Sequence, residues 1–86
     1  MTTEMIHPIV HLNGTSRGEL LQQVLDVRLA ISNAINKVQA AAPNARDYYI
    51  SKDQDLFRKA REQHFDRLGR LEKLFAEYEA LAEELV

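Results

Sequence analysis

Two long stretches of the chain place apolar side chains at helical spacing, and one short segment separates them. This spacing is typical of one face of an α-helix packed against a partner. The chain is therefore predicted to be all-α: a long helical hairpin, with helices over about 16–41 and 52–85 and an extended N-terminal arm. The first face consists of Leu20, Val24, Val27, Ile31, Ala34 and Val38. The second consists of Phe57, Ala60, His64, Leu68, Leu71, Phe75, Tyr78, Ala82 and Leu85.

Each predicted helix begins at a recognisable start signal. Ser16 and Glu19 match a capping box, in which the serine oxygen accepts a hydrogen bond from a backbone N–H group of the first turn, and Ser51 with Gln54 matches a second. Pro43 ends the first helix, because proline disfavours helical geometry in the residue before it. The single predicted domain, 1–86, divides into an arm and cap loop over 1–15, helix 1 over 16–42, a connecting loop over 43–51 and helix 2 over 52–86.

The apolar faces are wider than two helices can cover for each other, which predicts self-association. A single core of this size is marginal, so we expect a homo-oligomer, most simply a C2 dimer that forms a four-helix bundle. The alternative is a monomer in which residues 1–12, with the apolar Ile9–Leu12 segment, cover the groove as a short strand or an extended strap. Gly69, the only helix breaker in helix 2, predicts a close approach by another helix. The residues that widen the faces are Leu21, Leu25, Leu29, Ile35, Leu56, Leu74 and Leu81.

The composition excludes several classes of protein. The chain has no cysteine, which excludes a disulfide scaffold, a thiolate metal site and a cysteine nucleophile. No apolar run approaches the roughly 20 residues of a membrane span, and the N-terminus lacks the basic and apolar regions of a signal peptide. We therefore expect a cytoplasmic protein with no membrane partner. The net charge of −2, and the acids that interrupt the basic middle of helix 2, argue against a nucleic-acid partner.

The connecting segment carries larger and more functional side chains than a turn requires. A few small polar residues suffice to join two helices, yet this segment holds Arg46, Asp47, Tyr48 and Tyr49. Arginine binds phosphate or carboxylate through two parallel hydrogen bonds, and a tyrosine ring stacks on a base or another planar group. These four residues form the first candidate site. The structural alternative is that Arg46 and Asp47 cap helix ends while the tyrosines fill the end of the bundle.

The start of helix 1 forms a second candidate site, made of Asn13, Thr15, Ser16 and Arg17. Backbone N–H groups at a helix N-terminus, with hydroxyls and an arginine beside them, bind anions readily. The structural alternative is that Ser16 or Thr15 is only a helix cap. The glycine pattern and the lysine of a P-loop are missing.

The two candidate sites are expected at opposite ends of one hairpin, a helix length apart. In an antiparallel dimer, the connecting segment of one subunit comes beside residues 13–17 of the other. Arg46, with Tyr48 or Tyr49, then closes over the helix N-terminus of the partner, and two equivalent pockets form. Such a pocket suits a small anionic ligand with a planar part. A nucleotide fits that description.

The histidines do not indicate a metal centre or a catalytic centre. Pro8 prevents His7 and His11 from sharing a helix face, and His64 lies on the apolar face, where a core or interface histidine is expected. Glu62 and His64 are two residues apart, so they do not match the Glu-x-x-His pattern of di-iron bundles. No serine, histidine and carboxylate have the spacing of a nucleophilic centre. We therefore expect no catalytic residue, no metal and no cofactor.

Two segments, His11–Ser16 and Ala42–Tyr49, resemble segments of short, uncharacterised proteins of phages and prophages, and the two long helices are similar as well. The resemblance implies a phage context and no established activity. Small phage proteins include virion accessories, regulators and inhibitors of host defence, and some inhibitors are oligomeric sponges that sequester nucleotide immune signals. The leading hypothesis is a non-enzymatic phage-type protein that binds such a nucleotide between subunits in the host cytoplasm. The alternative is a structural or protein–protein interaction module, either a host-factor inhibitor or a virion accessory, with no small-molecule ligand.

Overall fold

The computed structural model describes residues 4–86, which form a helical hairpin. Helix α1 spans Arg17–Ala40, a single 3-10 turn spans Ala45–Asp47, and helix α2 spans Leu56–Leu85. The two long helices pack against each other along an elongated molecule of 63 × 28 × 16 Å. The predicted all-α hairpin is therefore confirmed. Neither long helix of the described chain has a stretch long and apolar enough to cross a membrane.

Helix α1 begins and ends at the predicted signals. Ser16 is extended, and its Oγ accepts a hydrogen bond from the backbone N–H of Glu19 at 3.2 Å. This bond satisfies one of the N–H groups that a helix start leaves without a partner. At the other end the N–H of Ala41 donates to the carbonyls of both Lys37 and Val38, and Pro43 follows two residues later.

Helix α2 begins at Leu56, so the predicted start at residue 52 is wrong. The Oγ of Ser51 accepts from the N–H of Asp53 at 3.1 Å, and Oδ1 of Asp53 accepts from the N–H of Asp55 at 2.9 Å. Such bonds to the backbone two residues ahead stabilise turns and compete with helix formation. The capping box of Ser51 with Gln54 does not form, and the connecting segment runs from residue 41 to residue 55.

An ion pair ties this turn to the first part of α2. Nζ of Lys59 lies 3.0 Å from Oδ2 of Asp53. The hydrogen bond from Lys59, followed in importance by the bond from the Asp55 backbone, holds the pKa of Asp53 below its ordinary value. The pair is exposed to solvent, so it orients the chain and adds little to the free energy of unfolding.

The core is a thin layer between the inner faces of the two helices. Every member of the predicted α2 face is buried or half-buried, and so is every member of the predicted α1 face except Val27, which is 39% exposed. The accessible surface is 7062 Å², against about 5,200 Å² for a compact monomer of this mass. The apolar side chains that α1 and α2 leave exposed include Leu29, Phe65 and Leu74.

The N-terminal arm lies beside one end of the hairpin and does not cover its length. Residues 4–12 form no strand, and Ile6, Ile9 and Leu12 are 87%, 84% and 98% exposed. Residues 7–10 contact the end at which α1 starts and α2 finishes, where they line a groove with Arg17, Glu84 and Leu85. The alternative of an arm that covers the helical groove is therefore not the structure of residues 4–12.

Candidate functional site

The connecting segment is built around one side-chain cap. Oδ1 of Asn44 accepts a hydrogen bond from the N–H of Arg46 at 3.1 Å, and the N–H of Asp47 donates to the Asn44 carbonyl at 3.0 Å. The N–H of Tyr48 then donates to the carbonyl of Ala45 at 3.0 Å. These bonds close a 3-10 turn. Arg46 is exposed and makes no ion pair with any residue of 4–86, and the same holds for Asp47.

The two tyrosines that follow have different environments. Tyr48 is half-buried, and its ring lies 5.9 Å from the ring of Phe57 at the start of α2. It therefore fills the end of the hairpin, as the structural alternative expected. Tyr49 is 79% exposed and does not fill the end of the hairpin within one chain. Of the two rings, Tyr49 has the more open face for stacking on a planar group.

A polar groove of about 440 Å³ lies between the connecting segment and α2. Its volume falls within the range of small-molecule sites. Asn44, Asp47 and Tyr48 line one side of it, and two turns of α2 line the other. The complete lining is Ala41, Ala42, Pro43, Asn44, Asp47, Tyr48, Ala60, Gln63, His64 and Arg67.

Sequence reasoning did not assign the α2 side of this groove to a site. Gln63 and Arg67 are four residues apart and therefore share one flank of the helix, next to the buried position of His64. The prediction that His64 is a core residue is confirmed, because its side chain is only 6% exposed and packs edge-on to Phe65 with ring centroids 5.5 Å apart. The i, i+4 spacing of Gln63 and Arg67 is common on helix surfaces and did not by itself indicate a site.

The groove has the hydrogen-bonding groups of a recognition site. Arg67 supplies a fixed positive charge, and Asn44 and Gln63 supply both donors and acceptors. Asp47 supplies an acceptor for N–H groups, and Tyr48 supplies an aromatic edge. An anionic group fits beside Arg67, and a planar polar group fits between the amides and the carboxylate.

The second candidate site lies at the start of α1, and one of its four residues, Ser16, already makes a hydrogen bond within the chain. Ser16 acts as the cap, as the structural alternative expected, while Asn13, Thr15 and Arg17 are exposed. The N–H of Gly14 donates to the carbonyl of His11 at 3.2 Å, which forms the predicted turn. Arg17 lines the groove at this end together with Glu84, so the acidic end of α2 does lie near the positive start of α1.

The two candidate sites do not meet within one chain. The connecting segment lies where α1 ends, and residues 13–17 lie where α1 starts. The 24 residues of α1 separate them by about 36 Å at 1.5 Å per residue. A pocket that contains both sites therefore requires a second subunit.

The described residues hold no group of three histidine, aspartate or glutamate side chains that could bind a metal ion. The geometry supports a binding site for a small polar ligand at the connecting segment. No family model, curated protein or solved structure matches the chain, so its function has to be argued from the site.

Proposed function

We propose that this chain is a non-enzymatic, self-associating helical protein that binds a small anionic ligand with a planar part, of which a nucleotide is the leading candidate. The observation that carries the proposal is the groove between residues 41–48 and α2. It combines a cation, two amides, a carboxylate and an aromatic edge in a cavity of ligand size. Arg46 and Tyr49 are exposed and adjacent in sequence to its lining residues, and Tyr49 lines a separate groove with Ala45, Ser51 and Phe57.

Each group in the groove matches one part of a nucleotide. A phosphate accepts charge-assisted hydrogen bonds from guanidinium groups, which Arg67 and Arg46 offer. The edge of a base carries both N–H groups and acceptors, which amide and carboxylate side chains pair. A base also stacks on an aromatic ring, and Tyr49 has a free face for it.

A second subunit completes the proposed pocket. The groove is open to solvent on one side, and the start of α1 carries exposed N–H groups with Thr15 and Arg17. In an antiparallel dimer this helix start covers the open side of the groove, so the ligand becomes enclosed between two chains. Enclosure raises affinity, because hydrogen bonds to charged groups strengthen as water is removed.

We assign the role to sequestration because the sequence offers no serine, histidine and carboxylate at the spacing of a nucleophilic centre. In the phage context that the sequence resemblance implies, such a protein acts in the host cytoplasm. It lowers the free concentration of a nucleotide immune signal and releases the signal unchanged. Recovery of the nucleotide intact after prolonged incubation tests this part of the proposal.

A thermal-shift screen against mono-, di- and cyclic nucleotides tests ligand binding. A nucleotide at one hundred times its Kd stabilises the folded state by about 2.7 kcal/mol, so the melting temperature rises. Arg46→Ala and Arg67→Ala should abolish this rise while the melting temperature without ligand stays unchanged. Arg70→Ala is the matched control, because Arg70 lies on the same helix with its side chain 70% exposed and outside the groove. A silent screen, or equal loss in all three variants, would reject the nucleotide site.

A second candidate function is docking of a host or phage protein without a small ligand. The exposed arm favours it, because Ile6, Ile9 and Leu12 present apolar side chains to solvent. Capture of a defined partner should then be lost in the Ile9→Ser, Leu12→Ser variant. It should be kept in Ile50→Ser, which changes an equally exposed residue of the connecting segment.

A further inference from the structure

The charges of α2 are divided between its two halves. Residues 56–68 hold four basic and two acidic side chains, a net charge of +2 with histidine neutral. Residues 70–86 hold two basic and five acidic side chains, a net charge of −3. Two such helices attract each other when they run antiparallel, and they place like charges together when they run parallel.

One exposed strip of α2 has the composition of a helix-packing surface. Its members are spaced by seven, four, seven and seven residues, so they share one face of the helix. Phe65 is 53% exposed and forms its apolar part. We call this strip the outer flank, and it consists of Arg58, Phe65, Gly69, Ala76 and Glu83, all of them exposed.

Gly69 at the middle of the outer flank has no role inside the chain. A Cβ atom added there would meet nothing within 4 Å, and the glycine does not have a positive φ. Glycine weakens a helix by about 1 kcal/mol relative to alanine. The close approach predicted at Gly69 is therefore not made by α1, and the position is open for the backbone of another molecule.

We propose that the outer flank binds the outer flank of a second copy of this chain, antiparallel, about a twofold axis near Gly69. A twofold axis level with residues 70 and 71 places Arg58 opposite the partner's Glu83, and the pairing occurs twice by symmetry. It places Phe65 opposite the partner's Ala76, where a large side chain meets a small one. Gly69 lies opposite the partner's Glu72 and three residues from its own copy, and its missing side chain lets the two helices approach closely.

The contacts within one chain leave the outer flank ready for this pairing. The guanidinium of Arg61 lies 5.8 Å from the centre of the Phe65 ring and 5.7 Å from that of Phe57, so it stacks beside the exposed aromatic side chain. Arg58 pairs with Glu62 at 2.8 Å and with Asp55 at 3.6 Å, but both pairs are exposed to solvent and local in sequence. Exposed pairs contribute little, so Arg58 exchanges partners at small cost.

The antiparallel contact requires no ligand and shares with the proposed function only the relative direction of the two subunits. Gln63 and Arg67 lie on the side of α2 opposite Phe65 and Gly69, so the contact that encloses the ligand in the proposed function is a separate one. Helix α2 starts at the end that carries the connecting segment and finishes beside Arg17. Reversal of one α2 against another therefore brings the connecting segment of each subunit to the end that carries residues 13–17 of its partner.

Cysteine cross-linking tests the twofold axis directly. The chain has no cysteine, so Gly69→Cys introduces a single thiol. A disulfide needs Cα atoms about 4.4–6.8 Å apart, which the proposed axis provides only near residue 69. Gly69→Cys should form a covalent dimer rapidly under mild oxidation. Gly18→Cys is the matched control, because Gly18 is also an exposed helical glycine with nothing within 4 Å. Linking of Gly18→Cys as fast as Gly69→Cys, or of neither, would overturn the interface.

Charge reversal gives a second test that does not depend on cysteine. Arg58→Glu alone and Glu83→Arg alone should each raise the dissociation constant of the dimer by about tenfold, since each breaks two equivalent pairs. The double variant should return close to the natural dissociation constant, measured by sedimentation. A double variant as weak as the single ones would reject the pairing. If Gly69→Cys cross-links but no nucleotide binds, the ligand proposal is rejected and the interface is kept. If a nucleotide binds but Gly69→Cys does not cross-link, only the interface is rejected.

Discussion

The inner face of α2 and its outer flank each carry a large apolar side chain, but the two side chains differ in exposure. Leu68 on the inner face is 8% exposed, whereas Phe65, less than one turn away, is 53% exposed. Both residues continue the apolar character of the helix, and the difference is that α1 covers only one of them. The apolar pattern of a helix indicates which of its sides need a packing partner, whereas burial within one chain shows which sides have one.

The largest expected effect separates inner from outer leucines. Leu68→Ala should lower the free energy of unfolding by about 2–4 kcal/mol, because it removes a buried side chain and leaves a cavity. Leu29→Ala changes a residue that is 62% exposed, and its effect should stay within about 0.5 kcal/mol. Urea unfolding followed by helical circular dichroism measures both at one protein concentration. Equal losses for the two variants would contradict the assignment of inner and outer faces.

The neighbouring tyrosines extend the same comparison to the connecting segment. Tyr49→Ala should weaken nucleotide binding by about 1–3 kcal/mol, the contribution of one stacked base, and leave the melting temperature without ligand unchanged. Tyr48→Ala should lower that melting temperature, because it removes the packing against Phe57. Calorimetric titration and thermal melts of the two variants provide the measurements. If only Tyr49→Ala lowered the melting temperature without ligand, Tyr49 and not Tyr48 would be the packing residue.

The two outer sides of α2 can be compared in the same way. Phe65→Ser should raise the dimer dissociation constant about tenfold, a loss of about 1.4 kcal/mol of association free energy. Leu74→Ser alters a residue on the opposite side of the inner face that is 40% exposed, and should change that constant by less. Sedimentation over a range of concentrations distinguishes them. A stronger effect from Leu74→Ser would move the subunit contact to the other side of α2.

The smallest expected effect concerns Asp53, whose pKa is lowered mainly by the hydrogen bond from Lys59. A carboxyl group with a lowered folded-state pKa stabilises the fold above its unfolded-state pKa of about 4. This stabilisation is lost as the pH falls through the folded-state value. Asp53→Asn should therefore melt slightly lower than the natural chain at neutral pH, with the difference closing in acid.

Melting curves over a pH series check this expectation, and Lys59→Gln is the control that removes the same hydrogen bond from the other side. Lys59→Gln should show the smaller difference from the natural chain, because the backbone N–H of Asp55 still lowers the pKa of Asp53, and this difference should also close in acid. A difference that widens on acidification would mean that Asp53 does not act through its charged form.

Much of the hairpin could be predicted because its signals are local. The Ser16 cap acts within one turn, and Pro43 acts on the residue before it. The start of α2 was misplaced because two local signals compete there. Ser51 fits a capping box with Gln54, but its hydroxyl bonds to the N–H of Asp53 instead and begins a turn. Spacing alone does not rank such alternatives.

The candidate site could be predicted only in its contiguous part. The sequence singled out Arg46, Asp47, Tyr48 and Tyr49 because a turn needs no such side chains, and of these four Asp47 and Tyr48 line the groove. The α2 side of the groove was not singled out, because Gln63 and Arg67 look like ordinary surface residues until the connecting segment folds over them.

By itself the sequence determined the two helices, their inner faces and the site of the bend between them, since periodicity and capping depend on residues a few positions apart. The tertiary structure alone decided which tyrosine packs and which faces solvent, that residues 4–12 leave the length of the hairpin uncovered, and that residues 44–48 share a groove with residues 63–67. The reason is physical. These outcomes depend on how the chain is oriented after the connecting segment. Contacts between residues distant in sequence set that orientation.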